Sequence, residues 1–225
     1  MKRLAVCLLA AFASPPAFAG EPDLTSPAAA VRSYLLATKA NDVESAKKCW
    51  TIDDNNASGA LDVMVGMWIE SRRLVAAAQE KLGSDVVKLI GRWNRANCSD
   101  TAIEVTLERL AKAEVSEHPK YARITIPWQP GDGEITPAFF NIRAPITLRR
   151  AGAEWKLCGN MFAGIATAAD LFAPDKLWPV WRDEMVIMKD LTAGLEKGQF
   201  KDLTEFEREL KGRVDGLKAK YERKD

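Results

Sequence analysis

The sequence predicts an α+β protein that begins with helices, continues with antiparallel strands and ends in a helical hairpin. Between residues 26 and 110 apolar side chains recur at helical spacings of three and four, whereas residues 121–158 alternate between apolar and polar with a period of two. After Pro174 the helical period returns. The chain has 225 residues, 47% of them hydrophobic and 28% charged, which is enough to bury a core.

The first 19 residues predict a secretory signal peptide. Lys2 and Arg3 provide a positive start, residues 4–13 are apolar, and Ala17-Phe18-Ala19 matches a small-residue cleavage site. The apolar run is much shorter than the ~20 residues that a membrane-spanning helix needs. We therefore expect cleavage after Ala19 and a periplasmic or extracellular protein.

The charge balance excludes two classes of partner. Lys and Arg total 32 against 31 Asp and Glu, which gives a net charge of +1. Nucleic-acid binding and polybasic lipid binding both need an excess of positive charge. We therefore expect no nucleic-acid partner and no polybasic lipid binding, and the short apolar run described above predicts no membrane span.

Residues 20–25 form a short polar leader before the first helix. Ser26 is expected to cap this helix, and Pro27 fits its first position. The predicted apolar stripe consists of Val31, Tyr34 and Leu35.

A second, short helix is predicted to end near Trp50. Asn41 followed by Glu44 resembles a capping box at its start. Residues 51–59 are polar and predict a loop, in which Ser58 caps the next helix.

The next helix is predicted from Ala60 to about Leu82, because its apolar residues keep a helical period and Gly83 is a natural stop. Ser84 is expected to cap one more short helix through Ile90. A further helix is predicted to begin at Asp100, with Ile103, Leu107 and Leu110 on one face.

Three alternating runs, residues 121–126, 141–148 and 154–158, predict half-buried antiparallel strands. Ala151-Gly152 predicts the tight turn between the last two strands. Residues 129–133 predict a loop.

The C-terminal hairpin is predicted from two apolar stripes separated by a break at Gly198. The period of the second stripe, near 3.5, would also fit pairing with another chain. Gly212 and Gly216 each cost about 1 kcal/mol relative to Ala in a helix, so we expect packing onto the protein itself.

Three segments together resemble the nuclear transport factor 2-like superfamily: residues 27–35 and 41–46, which resemble the opening helices of exported members, and residues 152–157, which resemble their final hairpin. The resemblance assigns residues 26–173 to such a domain and leaves residues 174–225 as a helical extension. It implies a curved sheet wrapped against helices, as a cone with an apolar pocket. Members include isomerases, dehydratases and non-catalytic binding modules, so the fold does not settle the function.

The enzymes of this superfamily place acid–base groups inside the cone. The carboxylates that would suit such a role here are Asp53 and Asp54, with Tyr34 assisting, and also Asp62. The interpretation that we favour for these aspartates is as loop and cap residues. The single histidine, His118, precedes Pro119 and is predicted to lie in an exposed turn between strands.

Four aromatic residues are candidates for a ligand-binding pocket within the cone, since they fall on inward-facing stripes: Tyr34, Trp50, Trp68 and Trp155. The alternative is that these side chains fill the cone completely.

Metal and disulfide candidates are few. Residues 54–62 resemble the first nine positions of a calcium loop, but the twelfth position is Val65 instead of a bidentate Glu, so we expect no metal and no cofactor. In an oxidising compartment a Cys49–Cys98 disulfide is our preferred pairing, with three unpaired thiols, including Cys158, as the alternative.

These observations together predict an exported, non-enzymatic binding protein that holds a small apolar ligand or a partner in the cell envelope. The alternatives are a pocket enzyme of the isomerase or dehydratase kind, and a structural interaction module that acts through the C-terminal helices.

Overall fold

The computed structural model describes residues 20–51, 58–91, 100–127, 145–158 and 177–221, which form an α+β protein. The predicted signal segment, Asp53, Asp54, Cys98 and the loop at residues 129–133 lie outside this part of the chain. The elements, in chain order, are α1 (Pro27–Lys39), α2 (Val43–Lys48), β1 (Trp50–Thr51), α3 (Ser58–Leu82), α4 (Val86–Leu89), α5 (Asp100–Leu110), β2 (Glu114–Glu117), β3 (Tyr121–Thr125), β4 (Ile146–Ala151), β5 (Glu154–Cys158), α6 (Leu177–Glu196) and α7 (Leu203–Tyr221).

Helix α1 begins as predicted. The Ser26 hydroxyl accepts the N–H of Ala29 at 3.2 Å, and Pro27 is the first helical residue. The predicted stripe of Val31, Tyr34 and Leu35 is buried.

The prediction that Asn41 caps α2 is wrong. Asp42 is the cap, and its Oδ1 accepts the N–H of Ser45 at 3.1 Å. Asn41 has a φ of 56°, a left-handed conformation that turns the chain out of α1 and that Asn tolerates better than most residues. Glu44 pairs with Lys47 at 3.0 Å instead of completing a capping box.

Two predicted serine caps also differ from the structure. Ser58 is the first residue of α3. Asp85, not Ser84, stands at the cap position of α4, where no side chain caps the helix. The Ser84 carbonyl instead accepts the N–H of Val87 at 3.2 Å, so the backbone starts this turn. Gly83 ends α3 as predicted, with a φ of 85°.

The sheet has the strand order β1-β5-β4-β3-β2 and is mixed, not purely antiparallel as predicted. Strands β2 to β5 pair antiparallel, and Gly152, at a φ of 66°, lies in the tight turn between β4 and β5. β1 pairs in parallel with β5, with Trp50 opposite Leu157. β1 and β2 were not predicted, because β1 has two residues and all four residues of β2 are exposed.

One face of the sheet supports the first hydrophobic core. Helix α1, α5 and the first half of α3 pack on this face. The main buried side chains are Val31, Tyr34, Leu35, Trp50, Val65, Ile69, Ile103, Ala122, Ile124, Leu148, Trp155 and Leu157.

A second hydrophobic core joins the second half of α3 to α4, α6 and α7, so the predicted C-terminal helical hairpin packs against α3. Its buried side chains are Leu74, Ala78, Val86, Ile90, Met188, Leu191, Leu195, Phe206 and Leu210. With 25 residues, α3 is about 37 Å long and reaches both cores. None of the described helices is sufficiently long and apolar to cross a bilayer.

Candidate ligand-binding cleft

A cleft of about 530 Å³ opens where α2, α3 and α6 meet. This volume lies within the range of small-molecule sites. The residues that line it are Val43, Glu44, Lys47, Val63, Gly66, Glu70, Arg73, Arg182, Met185 and Lys189.

Helical spacing builds the two long walls of the cleft. Val63, Gly66, Glu70 and Arg73 follow one another at intervals of three or four along α3, and therefore share a face. Arg182, Met185 and Lys189 form the matching stripe on α6.

Gly66 lets the two walls approach closely. A Cβ atom at this position would lie 2.7 Å from the Met185 sulfur, closer than van der Waals contact allows. Because Gly66 has no side chain, the Met185 thioether can pack directly against α3. There the thioether contributes an apolar surface to the cleft.

Both carboxylates of the cleft are neutralised within it. Glu44 pairs with Lys47 at 3.0 Å, and Glu70 pairs with Arg73 at 2.9 Å. Glu70 is only 5% exposed, so the pairing with Arg73 also satisfies a carboxylate that has little access to water.

Arg73 also ties the cleft to the corner between α1 and α2. Its Nη2 donates to the Asn41 carbonyl at 3.1 Å. The neighbouring Arg72 donates to the Lys39 carbonyl at 3.4 Å and to Asp100 at 2.5 Å. The corner that starts α2 is therefore held by two consecutive arginines of α3.

Arg182 and Lys189 remain as cations of the cleft that are exposed and form no ion pair with any described residue. Two acidic residues next to these cations on α6 form hydrogen-bonded ion pairs with α7. Asp183 binds Lys220 of α7 at 2.6 Å, and Asp190 binds Arg213 of α7 at 2.9 Å. The cleft thus has a surplus of positive charge.

The α6–α7 contact holds Asp183 ionised. The hydrogen bond from Lys220, supported by one from the Tyr221 hydroxyl at 2.9 Å, lowers the pKa of Asp183 below its usual value. The direct hydrogen bonds of Asp183 are therefore to α7, while Arg182 contributes to its lowered pKa only through the weaker attraction of a neighbouring charge.

The chemistry of the cleft suits binding of an anion that has an apolar part. Guanidinium and ammonium groups attract carboxylates and phosphates, while the valines and Met185 accept apolar atoms. Within the described ranges, no three His, Cys, Asp or Glu side chains come together in a way that would hold a metal ion.

None of the four predicted aromatic residues lines this cleft, and three of them lie in the first core. Tyr34, Trp50 and Trp155 are 1%, 4% and 3% exposed and belong to one packed cluster. The rings of Tyr34 and Trp50 meet edge to face at 5.3 Å. Trp68, on α3, is partly buried and stands apart from that cluster. The choice between an aromatic ligand pocket and a filled cone stays a prediction.

The residues considered for acid–base catalysis do not meet within the described part of the chain. Tyr34 lies in the first core, whereas Asp53 and Asp54, together with the side chain of Asp62, lie outside the described residues. His118 is exposed in the turn between β2 and β3, as predicted, and its ring stacks on Tyr121 at 4.5 Å.

The described cysteines are buried thiols. The Cys49 Sγ donates to the Ser45 carbonyl at 3.3 Å, and burial raises the pKa of this thiol to about 12. Cys158, at the end of β5, is also buried and free. Because Cys98 lies outside the described residues, the Cys49–Cys98 pairing stays a prediction. Most of the calcium-like loop also lies outside them, while Val65 is buried in α3.

Sequence reasoning missed the cleft, although one signal for it was present. Arg182, Met185 and Lys189 recur at intervals of three and four within the hairpin, where the balance of charges predicted only a solvated face.

Comparison of the chain with protein-family models, with curated proteins and with solved structures finds no match.

Proposed function

We propose that this chain is an exported, non-enzymatic binding protein and that the cleft between α2, α3 and α6 is its ligand site. The observation that carries the proposal is the pair of exposed cations, Arg182 and Lys189, which lie beside apolar side chains of the cleft. The two carboxylates of the cleft already have cationic partners and do not neutralise this pair. The signal-peptide features of residues 1–19 support export.

The proposed ligand is a small amphiphile with an anionic group, which refines the purely apolar ligand expected from the sequence. The anionic group would pair with Arg182 or Lys189. The apolar part would cover Met185, Val63 and Val43. Such a ligand matches both the charge and the apolar surface of the cleft, while the aromatic residues support the fold.

We also propose that the sheet and its covering helices form the cone of a nuclear transport factor 2-like domain. The order of the three sequence segments supports this, as does the packing of α1 and α5 on a single face of the sheet. In this proposal the ligand site lies between the domain and its C-terminal extension, instead of inside the cone.

The test is isothermal titration calorimetry of the mature protein with octanoate and with octylamine, which share a chain length and differ in charge. We expect octanoate to bind and octylamine not to bind. The double variant Arg182→Ala/Lys189→Ala should weaken octanoate binding by about tenfold, because it removes both free cations. The control, Arg208→Ala/Lys211→Ala, removes two exposed cations of α7 outside the cleft and should leave binding unchanged. Equal binding of the two probes, no octanoate binding, or equal effects of the two double variants would overturn the proposal.

A further inference from the structure

We infer that the ligand of the cleft is an elongated dianion with an apolar middle, such as an α,ω-dicarboxylate; this inference rests on the proposed function of the cleft. Arg182 and Lys189 are seven residues apart on α6. Seven residues make two helical turns, so the two side chains project from the same face with their attachment points about 10 Å apart.

The surface between the two cations is apolar. Met185 lies between them along the stripe, and the absence of a side chain at Gly66 gives it room against α3. Along α6 the cleft therefore presents a cation, a thioether and a second cation. A ligand that carries a charge at each end and methylene groups in between matches this order.

The two cations stand out because the other charges around them are satisfied. Asp183 and Asp190 also lie seven residues apart on α6, but they pair with Lys220 and Arg213 of α7. In the cleft itself, Glu44 and Glu70 are held by Lys47 and Arg73. A ligand with one anionic group would neutralise only one of the two remaining cations.

The two cations are expected to act almost independently. Their attachment points on α6 are about 10 Å apart, which is close to the screening length at ordinary salt concentrations. Each contact at such an exposed site is worth about fivefold in affinity. A dianion of matching length should therefore bind about fivefold more tightly than its one-headed analogue.

The experiment compares azelate, its monomethyl ester and succinate by calorimetry. Azelate and the ester share a chain, but the ester has one charge; succinate has two charges and a shorter chain. We expect azelate to bind about fivefold more tightly than either. Arg182→Ala and Lys189→Ala should each lower azelate affinity to the level of the ester and change ester affinity by no more than about twofold, since one cation remains for it. The control variant Arg208→Ala should change neither.

The outcomes separate this inference from the function it rests on. If the ester binds as tightly as azelate, or succinate as tightly as azelate, the dianion inference is wrong while the anion-binding cleft stands. If the single variants leave azelate affinity unchanged, the assignment of the two cations is wrong. If none of the three probes and no octanoate binds, the proposed function itself fails.

Discussion

Asn41 holds the corner between α1 and α2 in a left-handed conformation, and Arg72 and Arg73 fix it there. Arg73 donates to its carbonyl oxygen at 3.1 Å, and the Arg72 Nε approaches its Oδ1 at 3.4 Å. A β-branched side chain is strained in this region of backbone space, while glycine adopts it freely.

The stability cost of a substitution at Asn41 should therefore depend on how easily the new residue adopts a positive φ. Asn41→Val should lower the free energy of unfolding by about 2 kcal/mol, and Asn41→Gly by less than about 1 kcal/mol. Urea unfolding of both variants measures this difference. Equal losses in the two variants would show that side-chain contacts, and not the positive φ, dominate at this position.

The cap of α2 gives a second test at the scale of single residues. Asp42→Ala removes the acceptor for the N–H of Ser45 and should cost about 1 kcal/mol of stability. The control Glu44→Ala removes only an exposed ion pair and should have a much smaller effect. A larger loss in Glu44→Ala would restore the predicted capping box. Sequence reasoning could not choose between Asn41 and Asp42, since both residue types cap helices and the choice depends on where the chain turns.

At the scale of elements, Gly66 and Gly212 form a matched pair of helical glycines. A Cβ at Gly66 meets the Met185 sulfur at 2.7 Å, whereas a Cβ at Gly212 on α7 meets no atom within 4 Å. Gly212→Ala should stabilise the protein by about 1 kcal/mol through helix propensity and leave the cleft unchanged.

Gly66→Ala should gain less stability than Gly212→Ala and should weaken octanoate binding, because the displaced Met185 side chain takes up part of the cleft. Thermal unfolding and calorimetry of both variants test this expectation. If Gly66→Ala matches Gly212→Ala in stability and in octanoate affinity, the close approach of Met185 to α3 does not shape the cleft.

The contact between α6 and α7 should depend on pH through Asp183. The pKa of Asp183 is lower in the folded protein than in the unfolded chain, so its ionised form stabilises the fold above the unfolded pKa of about 4. This contribution is lost as the pH falls through the folded pKa. Asp183→Asn should therefore be slightly less stable than the parent at neutral pH, and the difference should shrink in acid. A difference that stays constant throughout the acid range would contradict this role, which urea unfolding at several pH values can measure.

How well an element could be predicted depended on whether its burial follows a period. Helix α3 buries residues every three or four positions, and strands β3 and β5 bury every second residue. These periods are visible in the sequence and predicted the three elements. The exposed strand β2 has no such pattern, and its two glutamates suit an edge position. Backbone pairing with β3 holds it in place, and side-chain periodicity does not report that pairing.

At the scale of the whole molecule, the two cores should unfold together because α3 belongs to both. Leu191→Ala, in the second core, should cost about 3 kcal/mol. We expect hydrogen exchange at the Ile124 amide, in the first core, to accelerate by a corresponding factor. Faster exchange confined to α6 and α7 would show that the cores unfold separately. The control is Leu203→Ala, at the partly exposed start of α7, which should have a smaller effect on stability and on exchange at Ile124.

The candidate site also belongs to this largest scale. Lys47, Gly66 and Met185 are far apart in sequence and meet only because α3 packs against α2 on one side and α6 on the other. Sequence periodicity reports which face of a helix is apolar, but not which other helix covers it. The fold class was therefore within reach of the sequence, whereas the cleft needed the packing of three helices.

The double membership of α3 has a consequence for how this protein can change over evolutionary time. A segment that began at Ser58 would leave the sheet without α1, one of its covering helices, and a segment that began after Leu82 would leave both the sheet and α6 without α3. Recombination at either point would separate pieces that need each other. The sheet, the long helix and the C-terminal pair are thus expected to be inherited as one indivisible unit.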